Sequence, residues 1–531
     1  MKKKKHYISL LSAVSLSSTL FAVPVSAAEE NFSLMNPPVV EVAQGALRGY
    51  MDGETYSFLG IPYASIPERF ALPEDPEAWE GVRDAQAYGP VAPIPDQTTP
   101  GTDEMVWPHR YWLQNETECQ NLNIWTQSLD PSAKKPVMVF FHGGGFANGS
   151  SIEGAAYEGA NLSEYGDVVV VTVNHRLNVL GFLDLSDYGE EYQYSPVAGI
   201  ADLIASLQWV QDNIEVFGGD PDNVTIFGQS GGGGKVQAIL HCPSAEGLVD
   251  KAIIQSSRDS AGFRTTKEVN QAMTAKTLEL LGLEADQADM LKTIPVRELV
   301  AAAEEARSLV GGNWGLAYDE DFMTEEYCDW ASDIPVVVGS VFSENTYSTI
   351  TFGDGRHNEW TEEETQYWLK ERYGDNAEEA AAEFQKVFPD MNLADACFFD
   401  GSRTIYARNI LNEKIESGAA APVYSYLFTY EAPINGGTTA FHCVDLIYAF
   451  HNVTLPILTR ATGGTDNEDA LKMQDIIATS WINFAKTGNP SQEGLEWKPY
   501  TIEEPNVMRL DLESSCGVLG DERLLELATA K

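Results

Sequence analysis

Basic residues are scarce in this 531-residue chain: 34 Lys and Arg stand against 79 Asp and Glu, a net charge of −45. A surface that displaces counterions from a phosphate backbone needs clustered cations, so nucleic acid is excluded as a partner. The surplus of acid reads as a solvated surface. Cysteine is scarce as well. Six residues and no CxxC pair leave a zinc knuckle or a dithiol redox site without ligands. Six cysteines permit fifteen complete pairings and their spacing favours none, so free buried thiols are expected. Internal repeats are absent, and beyond the N-terminus no apolar run is long enough to span a bilayer. What remains is 44% hydrophobic and 10% aromatic, enough for a large core and incompatible with general disorder.

The N-terminus is built differently. Lys2 to Lys5 precede an apolar, Ser-rich stretch from Ile8 to Val25, and Val25-Ser26-Ala27 supplies small residues at a cleavage site. This is the pattern of a secretory signal peptide over residues 1–27. The apolar part is short and diluted with Ser for an uncleaved anchor, and no Cys is present for lipid attachment. Cleavage removes four Lys and no acid, leaving residues 28–531 with a charge of −49. The expected location is extracellular or periplasmic, with no stable membrane anchor.

Short continuous runs recur along the mature chain: Val137–Phe141, Val168–Val173, Val224–Phe227, Ala252–Gln255, Pro335–Val338 and Val423–Leu427. β-branched runs bounded by polar or Gly-rich segments suit strands buried on both faces of a parallel sheet. The spacers are long enough for helices. Between Gly199 and Phe217, the residues Ile200, Leu203, Leu207, Val210 and Ile214 fall on one helical face that ends at Gly218. Strands alternating with helices predict an α/β sheet joined by crossovers. Val39–Tyr50 and Glu54–Gly60 flank Asp52-Gly53, a hairpin turn signal. Residues 64–110 are rich in Pro and acid and read as irregular, whereas residues 262–330 and 354–415 read as helical insertions over the sheet. Trp107, Trp112 and Trp314 are read as packing residues rather than as the rim of an entrance.

The strand Val224–Phe227 runs directly into Gly228-Gln229-Ser230-Gly231-Gly232, a G-x-S-x-G sequence followed by a helical pattern through Ile239. A serine hydroxyl is a weak nucleophile and needs a sharp turn where base and substrate both reach it. Flanking glycines remove the clashes such a turn would create. The run ending in Gly234-Lys235 resembles a phosphate-binding loop, but Gln229 and Val236 stand where Gly and Ser or Thr would be required. Upstream, Phe141-His142-Gly143-Gly144-Gly145-Phe146 follows the first strong strand and suits an oxyanion hole, because bare backbone lets N–H groups converge. HGGG before GxSxG is the order of lipases and esterases. Of the eight histidines, His442, His451 and His357 compete as the base on residue pattern alone.

Ordered blocks over the whole mature chain resemble the type-B carboxylesterases, the cholinesterase-like and para-nitrobenzyl-esterase-like α/β-hydrolases. They include Phe58–Ala64, Glu118–Trp125, Asn174-His-Arg176, Phe217–Pro221, the serine turn, and Thr487–Pro490 with Trp497. The resemblance implies an α/β-hydrolase fold: one catalytic domain over residues 28–531, with a large, mostly parallel central sheet, helices on both faces and helical insertions over the active site. It further implies Ser230 as nucleophile, Glu344 as orienting acid and His442 as base, with oxyanion donors at the N–H groups of Gly144, Gly145 and Gly231. No metal or organic cofactor is implied, and the implied partner is a small-molecule ester. The same residues also fit a catalytically inactive adhesion protein or an amidase.

This chain departs from the family pattern in places. Gln229 and Gly231 replace the usual Glu and Ala around the serine, and Asn345 replaces the Gly after the acid. No cysteine precedes Cys119, so a disulfide common among secreted relatives cannot form. A buried Arg69–Glu118 ion pair is implied by the resemblance. The global charge leads to the expectation that cationic esters are drawn to the site.

Overall fold

A computed structural model describes residues 37–95, 108–319, 321–345 and 356–530. Residues 1–27, expected to be a signal peptide, and Trp107 lie outside the described residues. Eleven strands form one sheet in the order β14-β13-β12-β11-β10-β9-β7-β8-β6-β4-β3. Its centre is parallel: β7 (Lys135–Phe141), β8 (Val169–Val173), β9 (Gly219–Gln229), β10 (Lys251–Gln255), β11 (Val336–Val341), β12 (Val423–Phe428) and β13 (Asn506–Leu510). The edges are antiparallel, through β3 (Tyr50–Asp52), β4 (Thr55–Pro62) and β6 (Asn121–Thr126) on one side and β14 (Ser515–Val518) on the other.

All six strand runs expected from sequence are strands, because each is buried on both faces. Alternation divides them between two cores. Val137, Val139, Val171 and Val338 face one cluster, together with Leu203 and Leu207 of the Ala198–Asn213 helix. Met138, Phe140, Val170 and Val337 face the other, together with Met473 and Trp481 of the Glu468–Thr487 helix. Helices therefore cover both faces.

The expected hairpin at Asp52-Gly53 is present, with Asp52 opposite Thr55. The Val39–Tyr50 run is not one strand, however. It folds at Ala43-Gln44 into β1 (Val39–Val42) and β2 (Gly45–Arg48), which join β5 (Val82–Asp84) in a separate sheet. Gly45 has a φ of 141° and its Cβ would lie 2.8 Å from the Trp79 carbonyl, so a turn fits there and a side chain does not. Among the described residues no helix is long and apolar enough to cross a membrane.

Arg176 ties the loop after β8 to the start of the Ala198–Asn213 helix. Its Nη2 and Nε donate to Asp202 at 2.7 and 2.9 Å, and both side chains are at most 2% exposed. Asp202 also accepts from the Arg176 backbone N–H and from Gln120 Nε2. Removing one member of a buried pair strands the other charge. Arg176→Met is therefore expected to lower unfolding free energy by about 3–5 kcal/mol in a denaturant titration, whereas a loss below ~1 kcal/mol would show that the pair is dispensable.

Candidate active site at the C-terminal edge of the sheet

Strand register brings the motifs together. Phe141 of β7 lies opposite Gly228 of β9, Gln229 opposite Gln255 of β10, and Gln255 opposite Gly339 of β11. The segments after these strands therefore leave the sheet side by side, at the edge where α/β ligand sites form.

Ser230 occupies the turn between β9 and the Gly231–Leu240 helix, with φ 58° and ψ −123°. A side chain at positive φ is strained. The turn is held by the Ser230 N–H donating to Gln255 O at 2.8 Å and by Gly234 N–H donating back to Ser230 O at 3.2 Å. The glycines expected as oxyanion donors are also assembled here. Gly144 and Gly145 have φ of 81° and 65°, and a Cβ on Gly231 would fall 2.4 Å from Gly145 Cα. The two backbones are in contact, and the N-terminus of the Gly231–Leu240 helix adds a positive dipole beneath the serine.

Glu344 is fully buried just beyond β11. Its Oε1 accepts from the Val341 N–H at 3.1 Å, and its Oε2 lies 2.5 Å from His442 Nδ1. The His442 N–H donates to Glu344 O at 3.0 Å, so backbone and side chain both fix the pair. The Gln229 amide nitrogen lies 3.3 and 3.4 Å from the two ring nitrogens of His442, and Gln229 Oε1 accepts from the Cys443 thiol at 3.2 Å. Among the described residues no hydrogen bond joins Ser230 to that ring, which is common before a substrate tightens the site. A neutral amide thus faces the imidazole. Behind the pair, Asp445 is buried and accepts from Gln255 Nε2 and Tyr426 OH, both at 2.9 Å. Burial, with the Glu344 charge adding to it, pushes its carboxyl up to about 6.

The competing histidines lie elsewhere. His451 pairs with Asp475. His357 Nε2 lies 2.9 Å from Asp395 Oδ1 and 3.0 Å from Glu431 Oε1, the one group among the described residues with three potential metal ligands. Burial opposes its charged form, but the two carboxylates outweigh burial and hold the imidazole up at about 9. The stabilisation this group gives is complete below the usual histidine value near ~6.5 and is lost as pH rises through about 9. Unfolding free energy measured from pH 6 to 10 should consequently fall more steeply in the parent than in His357→Gln; parallel curves would remove the assignment.

Two sequence expectations are corrected. Arg69 pairs with Glu116, through two contacts of 2.6 Å, and not with Glu118. Glu118 is exposed and accepts from Asn115, because the turn at 115–118 points it outward. Trp112, read as packing, is 45% exposed, whereas Trp314 is buried in the core as expected, at 6% exposure, and also borders the cleft over Ser230. That cleft has a volume of about 320 Å³, and its apolar wall includes Phe146, Phe263 and Trp314. Cys119, Cys242 and Cys397 are buried thiols outside any disulfide.

Lys235, which sequence reading used only to dismiss a phosphate loop, is fully buried one turn into the Gly231–Leu240 helix. Its Nζ donates to the His142 carbonyl at 2.9 Å, tying the HGGG loop to the serine-bearing helix. Burial pushes its ammonium down to about 7. The stacked rings of His142 and His175 are driven well below their ordinary value by burial and by the Lys235 charge, and are neutral. No periodicity marks such a lysine; its only sequence signal is a charge inside an otherwise apolar, Gly-rich helix start. Lys235→Met should leave the serine reactive towards a fluorophosphonate but lower kcat by about ten- to a hundredfold through a displaced loop; an unchanged kcat would deny the tie any role.

The sequence matches the model of the carboxylesterase family over residues 36–524. It is 33% identical over 494 residues to para-nitrobenzyl esterase of Bacillus subtilis (strain 168), covering 90% of this chain and 96% of that protein. It is 30% identical over 525 residues to phenmedipham hydrolase of Pseudarthrobacter oxydans, covering 92% and 96% respectively. A solved esterase from Clostridium hathewayi, described as able to hydrolyse aliphatic aromatic polyesters, superposes with a TM-score of 0.84 at 42% identity, covering 93% of this chain and 98% of that one.

Proposed function

Because the chain belongs to the carboxylesterase family, with an α/β-hydrolase fold and carboxylic ester hydrolase activity, we propose that it is a secreted serine esterase working through Ser230, His442 and Glu344. The observation that carries this reading is the convergence of Ser230, on its strained turn, with the HGGG loop, beside a His442 held at 2.5 Å by buried Glu344.

In this mechanism Ser230 Oγ attacks the ester carbonyl as His442 Nε2 takes its proton. Glu344 fixes the imidazole through Nδ1 and stabilises its charged form. The N–H groups of Gly144, Gly145 and Gly231 receive the oxyanion, each such donor contributing about 10²–10³-fold in rate. Collapse expels the alkoxide, which takes the proton from His442 and leaves the acyl group on Ser230. Water, deprotonated by the same histidine, then releases the acid. Gln229, being neutral, adds no charge beside the imidazolium.

Residues 1–27 act in this reading as a signal peptide, and residues 28–531 as a single catalytic domain. Because one relative is named a para-nitrobenzyl esterase and another is described as hydrolysing aliphatic aromatic polyesters, aromatic esters are the first substrates to assay. Ser230→Ala should fold as the parent does and lose more than about a thousandfold in kcat for a para-nitrophenyl ester. Turnover retained by that variant would sink the mechanism.

A further inference from the structure

The chain's charge is overwhelmingly negative, yet the cleft above Ser230 is lined by Arg258, Arg307 and Arg403, and among the described residues no Asp or Glu lines it. The three cations differ in what holds them. Arg307 is already paired, its Nε donating to Glu304 Oε2 at 2.8 Å. Arg258 is exposed, and among the described residues its guanidinium has one long contact, to Gly262 O at 3.5 Å, and no ion pair. Arg403 enters the cleft from the start of the Gly401–Glu416 helix. Its Nη1 is buried without a hydrogen-bond partner among the described residues, and its guanidinium packs over the Tyr406 ring at 5.8 Å.

Nearby acids are committed elsewhere. Asp259 accepts from the Gly262 N–H and from Asn409 Nδ2, Glu413 accepts from the Ser260 hydroxyl, and Glu304 accepts from both Arg307 and the Trp314 indole. A guanidinium nitrogen withdrawn from water without an acceptor is costly, and a planar carboxylate is the group that satisfies it best, through two parallel hydrogen bonds. Long-range repulsion by the acidic surface does not cancel this contact, because surface charges are screened beyond about 8 Å at physiological salt.

We propose that the cleft selects esters carrying a second, free carboxylate, such as monoesters of dicarboxylic acids, with Arg403 and Arg258 as the residues that receive it. The proposal rests on the serine-esterase reading and names the substrate class of that site. It reverses the expectation, drawn from global charge, that cationic esters are favoured. Phe263 and Trp314 give the spacer between the ester and the carboxylate an apolar wall, while the scissile carbonyl lies over Ser230. A pocket built to hydrogen-bond a charged group discriminates strongly against an analogue lacking it, since the guanidinium is then left unpaired.

The test compares kcat/KM for mono-para-nitrophenyl glutarate and adipate with their neutral methyl-ester analogues, in the parent and in Arg403→Met, Arg403→Lys and Arg258→Gln. The parent should favour the anionic member of each pair. That ratio should fall about thirtyfold in Arg403→Met, the range for loss of a buried charge partner, and recover in part in Arg403→Lys. Fluorophosphonate labelling of Ser230 reports whether each variant is folded; should Arg403→Met fail to fold, Arg258→Gln carries the comparison. A parent ratio of one or less, or a ratio unchanged in the variants that fold, overturns the proposal while leaving the esterase reading intact. Absence of turnover on every ester, neutral ones included, strikes that reading instead.

Discussion

The backbones of Gly145 and Gly231 are in contact, with a Cβ on Gly231 placed only 2.4 Å from Gly145 Cα, and the arrangement around Ser230 depends on that approach. It arises from strand order rather than from either loop. β7 and β9 are adjacent and in register, so the segment after Phe141 and the turn after Gln229 are delivered to the same point. The turn holds Ser230 at φ 58°, a conformation costing about 1–3 kcal/mol that persists only when its surroundings over-determine it. Hydrogen bonds from β10 and from the following helix turn do so, and Lys235 anchors the facing loop from below.

Charge is managed by location. Two ionic groups are buried inside the fold as matched sets: Arg176 with Asp202, and His357 between Asp395 and Glu431. Each set joins segments far apart in the chain, and each would be expensive to break by removing one member. Lys235 and Arg403 are not so matched: the first donates to a carbonyl, and the second, which lines the cleft, has a buried Nη1 with no acceptor among the described residues. In a protein with more than twice as many acids as bases, an unmatched cation beside the proposed nucleophile is informative where the total charge is not.

Much of the fold was legible in the sequence because the signals are local. Continuous β-branched runs announce strands buried on both faces, and each such run is a strand here. The reading failed where a local pattern had two outcomes. Val39–Tyr50 alternates like one strand but doubles back at Ala43-Gln44, since Gly45 packs against Trp79. Arg69 had two acids within reach, and the turn at 115–118 presents Glu116 and exposes Glu118.

By itself the sequence determined the strand runs, the serine turn and the glycine-rich loop, because β-branching, the tolerance of glycine for positive φ and the spacing of short motifs act over a few residues. Through the family resemblance it also pointed to Glu344 and His442, which the tertiary structure joins. Only that structure decided the partners: that Lys235 holds the HGGG loop, that Gln229 faces the imidazole, and that positions 258, 307 and 403 share one cleft with Ser230. Those placements follow from crossovers between distant strands, and nothing local in the chain encodes which side chains the crossovers will bring face to face.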